Sequence, residues 1–230
     1  VTDLDRIRQP RAIFLDIGGP IYDDGNFVVA VSRALDELRA ERGMPPVPMD
    51  ALRPIYDAMR NRQGGSIRGA LSKQFLGDES AKSELSARTK QYWTHPAGTM
   101  MPDVIPFLNE IAGRAVIGVI ANQEAGVVAD LTRDGVAPFI DIWGVSAIVG
   151  IEKPSPELFR WALDAAGVSA SLAIHIGNRL DTDVRPAHAV GLGTVWVMRG
   201  EAPANPTAEQ RAEPDLSVDS LAGLAAILFP

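Results

Sequence analysis

Ala12-Ile13-Phe14-Leu15-Asp16-Ile17-Gly18-Gly19-Pro20 is an apolar run that delivers a single carboxylate onto a glycine turn. Ala12 to Leu15 is apolar at odd and even positions alike, so both faces of the predicted strand are buried, as in a parallel sheet covered by helices. Ligands of open α/β sheets bind outside the carboxyl ends of such strands, and Asp16 stands at that end. Taken alone, an aspartate there also serves to close a strand as an Asx turn; later segments decide between the two roles.

Beyond Asp23-Asp24-Gly25 the chain turns helical in pattern and stays so from 26 to 98. Val28, Val31, Leu35 and Leu38 recur at helical spacing, with Gly43 ending the run. Leu52, Ile55, Tyr56 and Met59 repeat the pattern after Asp50, which reads as an N-cap. Two further helices are expected over 67–76 and 80–93, and His95-Pro96-Ala97-Gly98 marks the return to alternating elements. There the pattern predicts helices over 104–112, 126–133 and 156–166 and strands over 115–120, 172–176 and 194–198. Short apolar segments fall at 140–143 and 147–149, a surface loop at 201–215, and a final helix around 220–228. Strands separated by helices require a parallel sheet. The expected organisation is therefore α/β: a parallel sheet with helices on both faces, formed by 1–25 and 99–230, interrupted by an all-helical module at 26–98.

The 230 residues carry 22 Lys and Arg against 29 Asp and Glu, a formal net charge of −7. Without a clustered basic surface, nucleic acid is an unsuitable partner. The absence of cysteine removes disulfides and thiolate zinc sites. No stretch reaches the roughly eighteen apolar residues of a membrane span, and Val1–Arg11 lacks the apolar core of an export signal. The expectation is a cytoplasmic protein with a small-molecule substrate and no membrane partner. Nothing in the sequence specifies an oligomeric state.

Four segments, taken in order, resemble the motifs of the haloacid dehalogenase superfamily, a group of aspartate-nucleophile hydrolases composed mostly of phosphatases. They are Asp16-Ile17-Gly18-Gly19-Pro20, Ile120-Ala121-Asn122, Lys153-Pro154-Ser155-Pro156-Glu157-Leu158-Phe159, and Gly177-Asn178 with Asp183 five residues beyond the asparagine. The closing run Pro214-Asp215-Leu216-Ser217-Val218-Asp219-Ser220-Leu221 is similar to the usual end of the family. Order, strand placement and an insertion after the first motif carry the resemblance over nearly the whole chain. It implies a Rossmann-like core with the helical module as a cap. It also implies Asp16 as nucleophile and Lys153 as its cationic partner, with Gly19, Asn122, Lys153 and Asn178 contacting substrate. Magnesium would be held by Asp16, the Gly18 carbonyl and Asp183, weakened because Asn178 carries no charge.

The chemistry needs these residue types. A carboxylate that attacks phosphorus forms an acyl phosphate and divides one hydrolysis into two displacements. A lysine neutralises the anionic substrate and helps hold the carboxylate ionised. Three departures from the family pattern each remove a function. Gly18 replaces the second aspartate, whose general acid and base role is worth about 10²–10⁴ in rate. Ala121 offers no hydroxyl, and Asn178 no negative charge; Pro20 in addition removes a backbone donor. The resemblance therefore leaves three readings: a phosphomonoester hydrolase of reduced power, a carbon–halogen hydrolase, which needs no second aspartate, or a noncatalytic protein that binds a ligand or partner.

Other candidates carry less. His95, His175 and His188 have no metal-ligand spacing, and His175, inside a predicted strand, reads as a hydrogen-bonded core residue. Gln63-Gly64-Gly65-Ser66, between Arg62 and Arg68, reads as an interhelix turn, or as a substrate-selecting loop if the resemblance holds. Trp93, Trp143, Trp161 and Trp196 read as packing residues.

Overall fold

The computed structural model describes residues 4–230, so Val1–Asp3 of the polar N-terminal stretch lie outside the described residues. The chain divides into two compact units, one formed by 1–23 with 95–230 and the other by 24–94. Among the described residues no helix is long and apolar enough to cross a membrane.

The first unit is built on six parallel strands: β1 (Ala12–Leu15), β2 (Val116–Ala121), β3 (Ile142–Val145), β4 (Ala173–Gly177), β5 (Gly193–Val197) and β6 (Leu216–Val218). Their order is β3-β2-β1-β4-β5-β6. The chain lays down β1, β2 and β3 in one direction and then returns to the other side of β1 with β4. The topological switch point, where α/β sheets open a crevice for ligands, thus lies at the carboxyl ends of β1 and β4. Leu15 pairs in register with Val119 on one side and Ile176 on the other, and the Asp16 amide continues the ladder to the Ile176 carbonyl at 2.8 Å.

The apolar character of β1 on both faces follows from two cores. Ile13 and Leu15 join Ile117, Val119, Ile174 and Ile176 against the helices Val104–Ile111, Val127–Arg133 and Leu224–Leu228. Ala12 and Phe14 face the opposite way, with Leu158, Phe159 and Ala162 of the helix Pro156–Ala166. Helices cover both faces, the Rossmann-like arrangement.

Several elements differ from the sequence-based expectation. The apolar segment at 147–149 is a helical turn, Ser146–Val149: the Ser146 hydroxyl exchanges hydrogen bonds with the Gln123 backbone and Gly150 closes the turn in the left-handed region. β6 is an extra edge strand of three residues, held by its pairing to β5 and too short to announce itself by alternation. The expected loop at 201–215 contains the helix Ala208–Ala212, started by a reciprocal capping box between Thr207 and Gln210.

The second unit, Asp24–Thr94, is helical, with Gly25–Glu41, Met49–Arg62, Ile67–Leu71 and Lys82–Lys90 as its α-helices. The sequence pattern had placed this module at 26–98. Val28, Val31, Leu35 and Leu38 pack with Leu52, Tyr56 and Met59 in its own core. Asp50 is not the N-cap of its helix. Pro48 holds that position in extended backbone, and Asp50 lies in the first turn, where a carboxylate is favoured by the helix dipole. The expected helix over 67–76 is interrupted: after Ile67–Leu71 the backbone widens into a π-helical segment, Ser72–Leu76.

Candidate active site

Asp16 follows the last residue of β1, with a side chain 14% exposed. Its Oδ1 accepts the Ile17 amide at 2.8 Å and the Lys153 ammonium at 2.9 Å. Among the described residues Oδ2 has no partner. One carboxylate oxygen is therefore anchored and the other is available for chemistry.

Lys153 comes from the loop before the helix Pro156–Ala166. Its side chain is 2% exposed, and its Nζ also donates to Asp183 Oδ1 at 2.6 Å. Asp183, fully buried, is saturated. Its Oδ1 faces His175 Nε2 at 3.2 Å as well as Lys153, and its Oδ2 accepts the amides of Asn178 at 3.2 Å and Arg179 at 2.9 Å. Gly177 makes this possible, because a Cβ there would lie 2.4 Å from the Asp183 side chain.

The electrostatics follow from two carboxylates sharing one ammonium. Burial pushes the Asp16 carboxyl up to about 7, against the opposing pull of Lys153 and with a further push from Asp183. For Asp183 burial also acts upward, but the Lys153 charge and the His175 and Lys153 hydrogen bonds overcome it and hold the carboxyl well below the usual range. Burial would lower the Lys153 ammonium, yet its two acidic partners raise it. Burial depresses His175, so the ring is neutral near pH 7. Because the Asp183 carboxylate can only accept, His175 must present its Nε2–H to it. It is the hydrogen-bonded core residue expected from the sequence.

The remaining sequence-selected residues fall around this cluster. Gly19 has φ +80° and a Cβ on it would lie 2.1 Å from Asn178 Nδ2, so only glycine allows the two loops to meet. The Asn122 amide is engaged with the Lys153 backbone, donating to its carbonyl at 2.9 Å and accepting its amide at 2.7 Å. Asn178 donates through Nδ2 to the Arg199 carbonyl at 3.3 Å, while its own carbonyl accepts Trp196 Nε1 at 2.8 Å. Gly18 is buried, and among the described residues its N–H and C=O make no hydrogen bond.

Two contributors went unnoticed in the sequence. Arg179 pairs with Asp181 at 2.7 Å and Glu201 at 3.0 Å, stiffening the loop after β4. Arg199 reaches the turn after Asp16 from the end of β5. The signal available for either was an arginine just beyond a predicted strand.

A doubly wound sheet with an aspartate–lysine–aspartate cluster at its switch point has the architecture of an aspartate-based hydrolase of the Rossmann-like class. Comparison with known proteins narrows this. The family model for HAD-hydrolase-like proteins matches residues 150–224. Over 194 residues the chain is 34% identical to a phosphoserine phosphatase of Thermus thermophilus, covering 82% of this chain and 72% of that protein. It is 32% identical over 124 residues to a glyceraldehyde 3-phosphate phosphatase of Methanopyrus kandleri, a match spanning about half of each protein, 51% and 52%. A HAD-hydrolase of Bacillus subtilis, solved bound to magnesium, superposes with a TM-score of 0.67 at 20% identity, over 95% of this chain and 98% of that one. The chain belongs to the haloacid dehalogenase-like hydrolase family.

Proposed function

We propose that this hydrolase cleaves a small phosphomonoester, with Asp16 as nucleophile. The observation that carries the proposal is the asymmetry of the Asp16 carboxylate: Oδ1 is pinned by Ile17 and Lys153 while Oδ2 is open. Relatives named as phosphatases of phosphoserine and of glyceraldehyde 3-phosphate support phosphorus as the centre attacked.

In the first step Asp16 Oδ2 forms a bond to phosphorus and the bond to the leaving oxygen breaks, giving an acyl phosphate and an alkoxide or phenoxide. Gly18 supplies no acid, so the leaving oxygen takes its proton from water. In the second step a water oxygen attacks phosphorus, the Asp16 oxygen–phosphorus bond breaks, and inorganic phosphate leaves with the carboxylate restored. With the Ile17 N–H engaged by Asp16 itself, the Gly18 N–H, which has no partner among the described residues, is the next backbone donor in sequence for a phosphoryl oxygen.

The residues do not all serve as the resemblance implies. Asp183 has both oxygens engaged by four donors and acts here as the residue that positions Lys153, not as a metal ligand. Asn122, with its amide on the Lys153 backbone, belongs to the same support. Among the described residues no group of three or more His, Asp or Glu is placed to hold a metal. What fits magnesium is the open Oδ2 of Asp16 and the buried Gly18 carbonyl, unpartnered among the described residues, with the neutral Asn178 adjoining Gly19. One carboxylate and neutral oxygens make a weak site. When bound, the ion supplies positive charge opposite the phosphoryl group. The helical unit 24–94 serves as a cap that selects the substrate, and the cytoplasmic location belongs to the same proposal.

A second reading, carbon–halogen hydrolysis, is favoured by one observation, the neutral pair Gly18 and Asn178 beside a saturated Asp183. Turnover assays separate the two. An aryl phosphate should be hydrolysed faster than an alkyl phosphate, since a good leaving group needs little protonation, and Asp16→Asn should abolish both. Halide release from a 2-haloacid without phosphate release would overturn the phosphatase reading.

A further inference from the structure

The turn after Asp16 is closed from within by three backbone hydrogen bonds, none of which engages the Gly19 or Pro20 carbonyl. Among the described residues Gly18 makes no hydrogen bond, Gly19 is in the left-handed region, and Pro20 has no N–H to give. The Gly19 amide reaches the Tyr22 carbonyl at 2.8 Å, and the Ile21 and Tyr22 amides reach the Ile17 carbonyl at 3.1 and 3.0 Å; the Gly19 and Pro20 carbonyls are held from far away in sequence. Arg199 Nε donates to the Gly19 carbonyl at 2.9 Å and its Nη2 to the Pro20 carbonyl at 2.5 Å. Two successive carbonyls are thus gathered by one planar group.

That group is itself fixed. Arg199 Nη1 contacts both oxygens of Asp103, at 3.0 and 2.8 Å, and both side chains are only 12% exposed. Asp103 Oδ2 also accepts the Leu221 amide at 2.7 Å. Burial would raise the Asp103 carboxyl, but Arg199 and the Leu221 amide hold it below its ordinary value, so the partner is ionised. Arg199 reaches in the other direction too, its carbonyl accepting Asn178 Nδ2. Four donor contacts in one rigid fork are what an arginine can make and a lysine cannot.

We infer that Arg199, braced by Asp103, is a positioning residue for the Asp16 reaction: it fixes the Gly18–Pro20 turn that follows the nucleophile, and with it the Gly18 backbone. It touches the turn's carbonyls and is not itself a catalytic residue. The inference rests on the phosphomonoester reading for its kinetic arm only.

The test compares wild type, Arg199→Lys, Arg199→Met and Asp103→Asn in two measurements. The first is turnover of para-nitrophenyl phosphate. A misplaced reacting group costs about 10²-fold in rate, so kcat should fall by about that factor in both Arg199 variants, with KM within about threefold of wild type. Asp103→Asn should fall between. The second is amide hydrogen exchange by mass spectrometry, in which the segment 17–22 should exchange faster in the variants while β2 and β4 keep their protection. If Arg199→Met fails to fold, Arg199→Lys carries the test, since it retains the charge opposite Asp103. Wild-type kcat in Arg199→Lys, or unchanged exchange over 17–22, would overturn the inference. Should wild type not turn over the ester, the function reading fails, and the exchange measurement alone decides whether the clamp exists.

Discussion

Replacing Asp16 by asparagine should stabilise the folded chain, and increasingly so as the pH rises from about 4 to about 7. Asp16 shares one ammonium with Asp183, and its carboxyl rises from 3.8 to about 7 on folding, first through burial. A carboxyl raised by folding binds its proton more tightly in the native state than in the unfolded one, so between those two values the native state holds more protons. Stability contributed by this group is complete below about pH 4 and is lost as the pH rises through about 7. Each pH unit in that window is worth about 1.4 kcal/mol, giving about 4 kcal/mol lost by pH 8. Asparagine, shaped like the protonated acid, does not incur this loss. Asp183, held down by Lys153, is ionised throughout the window in both proteins and cancels. Urea unfolding of wild type and Asp16→Asn at pH 5 and pH 8 measures the effect. The variant's advantage should be about 2 kcal/mol at pH 5 and about 4 kcal/mol at pH 8. An equal difference at both pH values, or a variant less stable at pH 8, would refute the claim that Asp16 is held as a strained, activated carboxylate.

Three other outcomes follow from the same cluster. Lys153→Met leaves two buried carboxylates with no counter-charge and should destabilise by about 3–5 kcal/mol at pH 8, read by the same urea titration, with the loss shrinking as the pH is lowered and Asp16 protonates. The rate profile should have an acid limb near pH 7, turnover falling as Asp16 takes up its proton; a limb near 4 would mean the carboxyl is unperturbed in the working enzyme. Asn178→Asp should tighten magnesium binding by about tenfold, equivalent to about 1.4 kcal/mol, measured by calorimetry; unchanged affinity would place the metal elsewhere.

The parts of this account that were legible in the sequence are those that chemistry and periodicity both constrain. β1 showed itself by apolar residues at every position, which only a strand buried on both faces tolerates, and Asp16 was singled out by standing at its end. Lys153 was found by the run that follows it. Asp183 was located by spacing, which gives a position on a loop and not the atoms that a side chain will touch. The four donors around it come from Lys153, His175 and two backbone amides of its own loop. The contacts of Asn122 were hidden for the same reason: its amide closes on a backbone 31 residues away. Arg199 was invisible, since its contacts with Gly19 and Pro20 span 180 and 179 residues and exist only once β5 and β1 lie in one sheet. Local elements were lost where length was short. Leu216–Val218 is a strand by virtue of its neighbour β5, and Ser146–Val149 is a helix by virtue of a serine bonded to Gln123.

The central claim, that the open oxygen of Asp16 takes the phosphoryl group, is tested most directly by trapping. Wild-type protein is mixed with para-nitrophenyl phosphate, quenched, and treated with borohydride, which reduces an acyl phosphate to the alcohol and leaves a free carboxylate untouched. The tryptic peptide that begins after Arg11 is then read by mass spectrometry. The account predicts homoserine at position 16, dependent on substrate and absent from Asp16→Asn. Phosphate release with position 16 still aspartate, or reduction at any other carboxylate, would contradict it.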